Sequence, residues 1–133
     1  MEAARHHEQT LSAGLLDVRM SDGLVLAGGR PLPLSLRELR LLVALLERRD
    51  RIVARHELYR LAWGRALRDG DRSVDVYVHK LRSKLEEALP EQRFIHTHFG
   101  FGYRLSVEPS HAFHNTQTTP QQADGTIQGE TNT

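Results

Sequence analysis

Val74, Val78, Leu81 and Leu85 stand at i, i+4, i+7 and i+11. That spacing puts four apolar side chains in one narrow stripe of a 3.6-residue helix, and the rest of the chain must supply a core to cover it. The helix is predicted over residues 72–88. Its opposite side collects Arg72, Val76, His79, Lys80, Ser83 and Lys84, hydrogen-bond donors around one valine. This second face exceeds what solubility requires and suits a helix lying in a DNA major groove.

The segments before it supply the cover. Residues 1–14 lack a periodic apolar pattern and read as a flexible arm. Leu16, Val18 and Met20 alternate with polar residues, residues 24–27 form a second apolar run and residues 30–34 a third, with Ser21-Asp22-Gly23 and Gly28-Gly29 as turns. The expectation is a small antiparallel sheet. Pro31 and Pro33 cannot donate ladder hydrogen bonds, which sends the third strand to an edge. Ser35-Leu36-Arg37-Glu38 is a capping box that starts a helix. Leu39, Leu42, Val43 and Leu46 give that helix one apolar face, widened by Leu36, Leu41 and Leu45.

Ile52-Val53 can add a bridge to the sheet. A second helix over residues 55–63 carries Leu58, Leu61 and Ala62 at helical spacing, and Gly64 stops it. Trp63, at the end of that apolar face, is expected to plug the core rather than to stack on a base. The connection over residues 64–71 is long and polar for a helix-to-helix link, and Asp71 or Ser73 offers a cap for the next helix. After it, Ile95 and Thr97 alternate with His96 and His98, the tip reads Phe99-Gly100-Phe101-Gly102, and Tyr103 begins a return strand. Glycines at the tip permit a tight reversal and close approach of backbone to a partner. The class is therefore α+β: small sheet, three helices and a hairpin, with the second and third helices forming a helix-turn-helix beside a wing.

Length and composition narrow the function. A chain of 133 residues with 39% hydrophobic content suits one domain, placed at residues 15–108, between the arm and a polar tail. The tail, 109–133, holds no lysine or arginine and reads as disordered. Without cysteine, thiolate metal sites and disulfides are excluded. His6 and His7 are adjacent on an arm, and His111 and His114 have ligand spacing only in a helix that Pro109 opposes, so no metal or cofactor is expected. No apolar run is long enough to span a bilayer and no export signal opens the chain, which predicts a cytoplasmic protein without membrane partners. No Gly-rich phosphate loop, nucleophile elbow, HExxH pair or close carboxylate dyad is present, so no enzyme is expected. All 18 Lys and Arg precede residue 105, and every acidic residue except Asp124 and Glu130 precedes residue 109. The excess over residues 1–108 is three positive charges, which leaves a nucleic-acid reading dependent on where those charges lie.

Four runs in this order are specific together. They are Leu34-Ser35-Leu36-Arg37-Glu38-Leu39-Arg40-Leu41-Leu42, Leu58-Tyr59-Arg60-Leu61-Ala62-Trp63-Gly64, residues 72–85 (RSVDVYVHKLRSKL), and Gly100-Phe101-Gly102-Tyr103-Arg104-Leu105. Over residues 15–107 the chain resembles the OmpR/PhoB-type winged-helix effector domain of bacterial response regulators. The resemblance implies sequence-specific binding of double-stranded DNA, in transcriptional regulation at the bacterial nucleoid, with helix 72–88 in the major groove and hairpin 94–107 along the backbone.

On that pattern Val76, His79, Lys80 and Lys84 face the bases. Val76 would meet a thymine methyl and Lys80 guanine O6 or N7. Arg72, Ser73, Tyr77, Arg82, Thr97 and Tyr103 would contact the DNA backbone. Phe99, Gly100, Phe101 and Gly102 form the wing tip, and Arg65, Arg68 and Asp69 lie on the loop that meets RNA polymerase or a neighbouring subunit. Two protomers on tandem half-sites are implied as well.

Departures from the family matter equally. Lysine stands at Lys80 and phenylalanine at Phe99 where relatives commonly carry arginine. Lysine lacks the planar fork that pairs bidentately with guanine, and Phe99 removes a cation from the wing, where it is expected to pack on Phe101. These features motivate an alternative reading, a winged-helix module that binds a protein partner and has weakened DNA binding. Fourteen residues before the first strand are too few for a receiver domain, so the expectation is a stand-alone regulator or a fragment of a longer one.

Overall fold

The computed structural model describes residues 9–68 and 70–110. Strands β1 (Thr10–Ala13), β2 (Leu16–Arg19), β3 (Leu24–Ala27) and β4 (Arg30–Pro31) form an antiparallel sheet in sequence order. β4 is a two-residue edge strand, in keeping with Pro31 inside it and Pro33 just beyond. β1 corrects the reading of residues 1–14 as an arm: residues 10–13 pair with β2, Leu11 opposite Val18 and Ala13 opposite Leu16. The strand is four residues long with a single large apolar side chain, too short for a periodic signal. It forms because Gly14, at φ 57°, turns the chain back onto β2.

Helix α1 (Leu36–Glu47) starts at the predicted capping box. The Glu38 amide donates to Ser35 Oγ at 3.2 Å, and the Ser35 amide donates to Glu38 Oε1 at 2.8 Å. Its buried face is rotated from the expected one. Leu41, Leu42, Ala44, Leu45 and Leu46 are buried, Leu39 and Val43 are half-buried, and Leu36 is 62% exposed. The rotation follows from packing on several sides, since α1 touches β1, the later helices and the C-terminal hairpin.

Rotation also carries Glu38 inside, where it is 3% exposed and Lys84 Nζ lies 2.7 Å from Oε1. Lys84, expected to face DNA bases, is here the ion partner of Glu38, with its side chain 40% exposed. Burial pushes the Glu38 carboxyl up, but hydrogen bonds from Lys84 and from the Ser35 amide outweigh it, and the pKa falls below the ordinary 4.5. Lys84→Met should lower unfolding free energy by about 1–2 kcal/mol in denaturant titrations. The value is smaller than for a fully enclosed pair because the lysine end meets water. Because the folded-state pKa is depressed, this contribution is present above about pH 4.5 and is lost as pH falls through the lowered value. The difference between variant and parent should shrink over that acid range.

β5 (Ile52–Val53) also departs from expectation. It joins β7 (Gly102–Pro109), which pairs in turn with β6 (Gln92–His98), in a second sheet ordered β5-β7-β6. Val53 faces Tyr103 across this pairing, and a Cβ at Gly102 would stand 2.1 Å from the Val53 carbonyl oxygen. Only a glycine in the return strand lets β5 approach, a long-range condition that two apolar residues do not announce.

Helices α2 (Arg55–Trp63) and α3 (Ser73–Ala88) follow the predicted bounds. Gly64 ends α2 in the left-handed conformation, φ 80°, its amide donating to the Arg60 carbonyl. The N-cap of α3 is Arg72, which makes no side-chain cap bond, and not Asp71 or Ser73; Asp71, one residue earlier, accepts from the Ser73 amide through Oδ1 at 2.7 Å. Val74, Val78, Leu81 and Leu85 are all at most 1% exposed. Their burial against α1, α2 and β6 fixes α3 in rotation and leaves the opposite face outward. No described helix is long and apolar enough to cross a membrane.

Candidate nucleic-acid interface

Along the outward face of α3, Val76 is 48% exposed and His79 and Lys80 are open to solvent. Arg72 precedes them at the N-cap position, its side chain 76% exposed. Residues 72, 76, 79 and 80 are spaced one helical turn apart, so they form one continuous strip. Ser73 and Tyr77 border it half-buried. Lys80 Nζ stands 4.9 Å above the Tyr77 ring, Tyr77 meets Trp63 edge-on at 5.6 Å, and Trp63 stacks on Tyr59 at 4.6 Å. Trp63 is half-buried, stacked on Tyr59 and with the Arg37 guanidinium 4.6 Å from its ring centroid, so its ring is engaged within the fold.

Asp75, on the first turn of α3, joins three parts of the molecule. Arg55 donates through Nε to Asp75 Oδ1 at 3.1 Å, lies 3.0 Å from Oδ2, and bonds the Asp71 carbonyl at 3.0 Å. Arg72 approaches the same carboxylate at 3.7 Å, and Tyr103 on the wing donates its hydroxyl to Oδ1 at 2.6 Å. Tyr103, expected at a phosphate, is 8% exposed. Its hydroxyl is engaged in tying β7 to α3. Arg82 and Thr97, expected as backbone contacts, meet each other, with Arg82 Nη2 2.7 Å from Thr97 Oγ1. That bond fastens α3 to β6.

The wing tip reverses through Gly100 at φ 84°, and the Phe101 amide donates to the His98 carbonyl at 2.8 Å. Phe99 is 88% exposed and Phe101 75%. The expected packing of Phe99 on Phe101 is absent, since no ring contact joins them among the described residues. The close approach expected of the tip glycines occurs at Gly102, toward Val53 of the same chain. Between the wing and the first turns of α2 and α3 lies a cleft of about 670 Å³ lined by Arg55, His56, Arg72, Asp75 and the two phenylalanines. On the loop before α3, Arg65 donates to the Tyr59 hydroxyl through Nε and Nη2, and Arg68 is exposed. Asp69, His6, His7, His111 and His114 lie outside the described residues, as does most of the predicted tail.

A sequence profile of the family described as "Transcriptional regulatory protein, C terminal" matches residues 29–105. The chain belongs to this OmpR/PhoB-type family. The family is one of transcription regulators, not of enzymes. The chain is 36% identical over 101 residues to the transcriptional regulatory protein AfsQ1 of Streptomyces coelicolor, covering 76% of this chain and 45% of that one. It is 31% identical over 100 residues to the phosphate regulon transcriptional regulatory protein PhoB of Shigella flexneri, covering 75% and 43%. The chain thus spans less than half the length of these relatives. Among solved structures, the DNA-binding domain of Klebsiella pneumoniae RstA in complex with the RstA box superposes with a TM-score of 0.66 at 31% identity, covering 74% of this chain and 97% of that one. The DNA-binding domain of CpxR from E. coli gives 0.68 at 26% identity, covering 75% and 99%. The winged-helix class read from the sequence therefore stands.

What the sequence reading of this effector domain missed is its polar interior. Asp75 sits in the first turn of α3, where an acidic residue is ordinarily explained by the helix dipole. Nothing local marks it as the acceptor of Arg55 and Tyr103. Burial pushes the Tyr103 hydroxyl up, its bond to Asp75 adds to this, and together they carry its pKa from 10.0 to about 12. Burial also pushes Asp75 up, but the bonds from Tyr103 and Arg55 outweigh it and hold that carboxyl below 3.8.

Both shifts make stability depend on pH at the extremes. The Tyr103 contribution is full below pH 10 and is lost as pH rises through about 12. The Asp75 contribution is present above pH 3.8 and is lost as pH falls through its lowered value. Denaturant midpoints measured against pH should show both losses. In Tyr103→Phe the alkaline loss should be reduced, at a cost of about 1–2 kcal/mol near neutrality.

Proposed function

We propose that this effector domain binds double-stranded DNA sequence-specifically in transcriptional regulation, with α3 in the major groove and the β6–β7 wing along the backbone beside it. The observation that carries the reading is the Arg72/Val76/His79/Lys80 strip on a helix whose other face is locked in the core. A rigid helix offering donors and one methyl-bearing side chain meets the chemistry of base edges. Val76, His79 and Lys80 read bases, while Arg72, Ser73 and Tyr77 meet phosphates at the groove edge. Lys84, Arg82, Thr97 and Tyr103 act indirectly, by holding the helix and the wing. The RstA structure with the RstA box and that of the AdeR DNA-binding domain with an intercistronic region support duplex DNA as the partner of this fold.

Selection from a randomised duplex library, followed by binding titrations at several salt concentrations, tests the proposal. Log K should fall by about 0.9 per phosphate neutralised for each unit of log salt. Lys80→Ala should cost roughly 1–3 kcal/mol against the preferred base and flatten preference at that position, with the fold intact because Lys80 is exposed. Failure of every duplex to bind at low salt would sink the reading. Two further roles extend it: Arg65 and Arg68 on the loop before α3 as a contact for RNA polymerase, and paired protomers on tandem half-sites. Polymerase recruitment by Arg68→Ala compared with the parent, and the stoichiometry on duplexes with one or two half-sites, test these. Such a protein acts in the bacterial cytoplasm, on the nucleoid.

A further inference from the structure

Resting on that reading, we infer that Phe99 and Phe101 form an apolar wedge that enters the minor groove beside the α3 site and unstacks a base step. Two phenylalanines, 88% and 75% exposed, stand on the same tight turn, an apolar patch of the kind that marks a contact site. The turn is closed by the Phe101 amide on the His98 carbonyl, so the rings stand on a pre-formed tip. Insertion between two bases needs only a ring or two, and phenylalanine wedges entering from the minor groove kink duplexes in this way.

Charge favours the same partner. The cleft behind the tip is lined by two arginines, Arg55 and Arg72, against one carboxylate, Asp75; Arg55 is the close partner of Asp75, and Arg72, 3.7 Å away with its side chain 76% exposed, leaves one positive charge in excess. A ligand that sets an acidic ridge against Arg72 and apolar ring faces against the phenylalanines is a duplex, with phosphates flanking stacked bases. The surface is also continuous with the reading strip. Arg72 belongs to both, and Val76 follows it one helical turn later. The tip thereby replaces the charge attraction of a wing arginine with stacking, so its binding should depend on how easily a base step opens. Flexible pyrimidine–purine steps such as TA are favoured at that position.

The experiment uses the full chain and a duplex selected from a randomised library, with 2-aminopurine placed at successive steps through it. One step outside the stretch protected by α3 should brighten several-fold on binding. Phe99→Ala/Phe101→Ala should abolish that signal and weaken binding about 10-fold or more, while base preference within the α3 footprint and the thermal midpoint stay unchanged. Phe99→Trp should keep the signal. Binding by the parent with no brightened step, or equal affinity of the double variant, overturns the wedge and leaves DNA binding intact. Loss of self-association or of polymerase binding in the double variant, with the fluorescence kept, assigns the rings to a protein contact and overturns it too. If no duplex binds, the DNA-binding reading fails and the wedge falls with it.

Discussion

Gly102→Ala is expected to destabilise this domain by roughly 3–5 kcal/mol, so that it unfolds at denaturant concentrations where the parent is still folded. The glycine holds φ +147°, and an added Cβ would lie 2.1 Å from the Val53 carbonyl oxygen and 2.9 Å from the Ala54 Cα. Those neighbours are backbone and cannot swing away. Relief requires β5 to separate from β7, and with it the entry to α2. Backbone strain of about 1–3 kcal/mol adds to the lost pairing, for a total of roughly 3–5 kcal/mol, a large part of the 5–15 kcal/mol that holds an ordinary domain. Gly100→Ala is the control. Its φ is also positive, at +84°, but its Cβ would meet nothing within 4 Å, so about 1–2 kcal/mol is expected. Denaturant unfolding followed by circular dichroism measures both, and near-equal midpoints for the two variants would refute the steric account.

Asp75→Ala carries the second large effect. It strands the Arg55 guanidinium and the Tyr103 hydroxyl, both of which lose a charge-assisted bond. Removing the shared acceptor of a half-buried network should cost about 2–4 kcal/mol. The functional consequence is separable from that loss. With one of the two ties between the wing and α3 removed, affinity for a selected duplex should drop while base preference along Val76, His79 and Lys80 persists, because those side chains stay on a helix still held by its buried stripe. A double-mutant cycle between Asp75→Ala and Tyr103→Phe should give a coupling of about 1–2 kcal/mol. Strict additivity would mean that the bond between them does not carry the link.

Legibility in the sequence tracked the range of each signal. The α3 stripe, the capping box of α1, the left-handed stop at Gly64 and the edge placement of Pro31 each depend on residues within about a dozen positions, and each is found where periodicity or turn chemistry puts it. β1 was missed because four residues with one leucine make no pattern until β2 lies beside them. The exposed strip of α3 was legible for the same reason as its buried stripe, since one helical period defines both. Of the residues expected at the interface, Arg72, Val76, His79 and Lys80 are presented outward. Lys84, Arg82, Thr97 and Tyr103 are drawn into the fold by partners that no local rule names.

By itself, then, the sequence determined the class of the fold, the element order, the helix that is presented and the family to which the chain belongs. Tertiary structure alone decided which polar side chains stay free. Glu38 meets Lys84 across 46 positions, Asp75 meets Tyr103 across 28, and Arg82 meets Thr97 across 15. The physical reason is that hydrophobic periodicity is written along one segment, whereas a buried charge must find its counter-charge on whichever segment packing brings near. A lysine or tyrosine reads the same in sequence whether its polar end is spent inside the molecule or left for a partner.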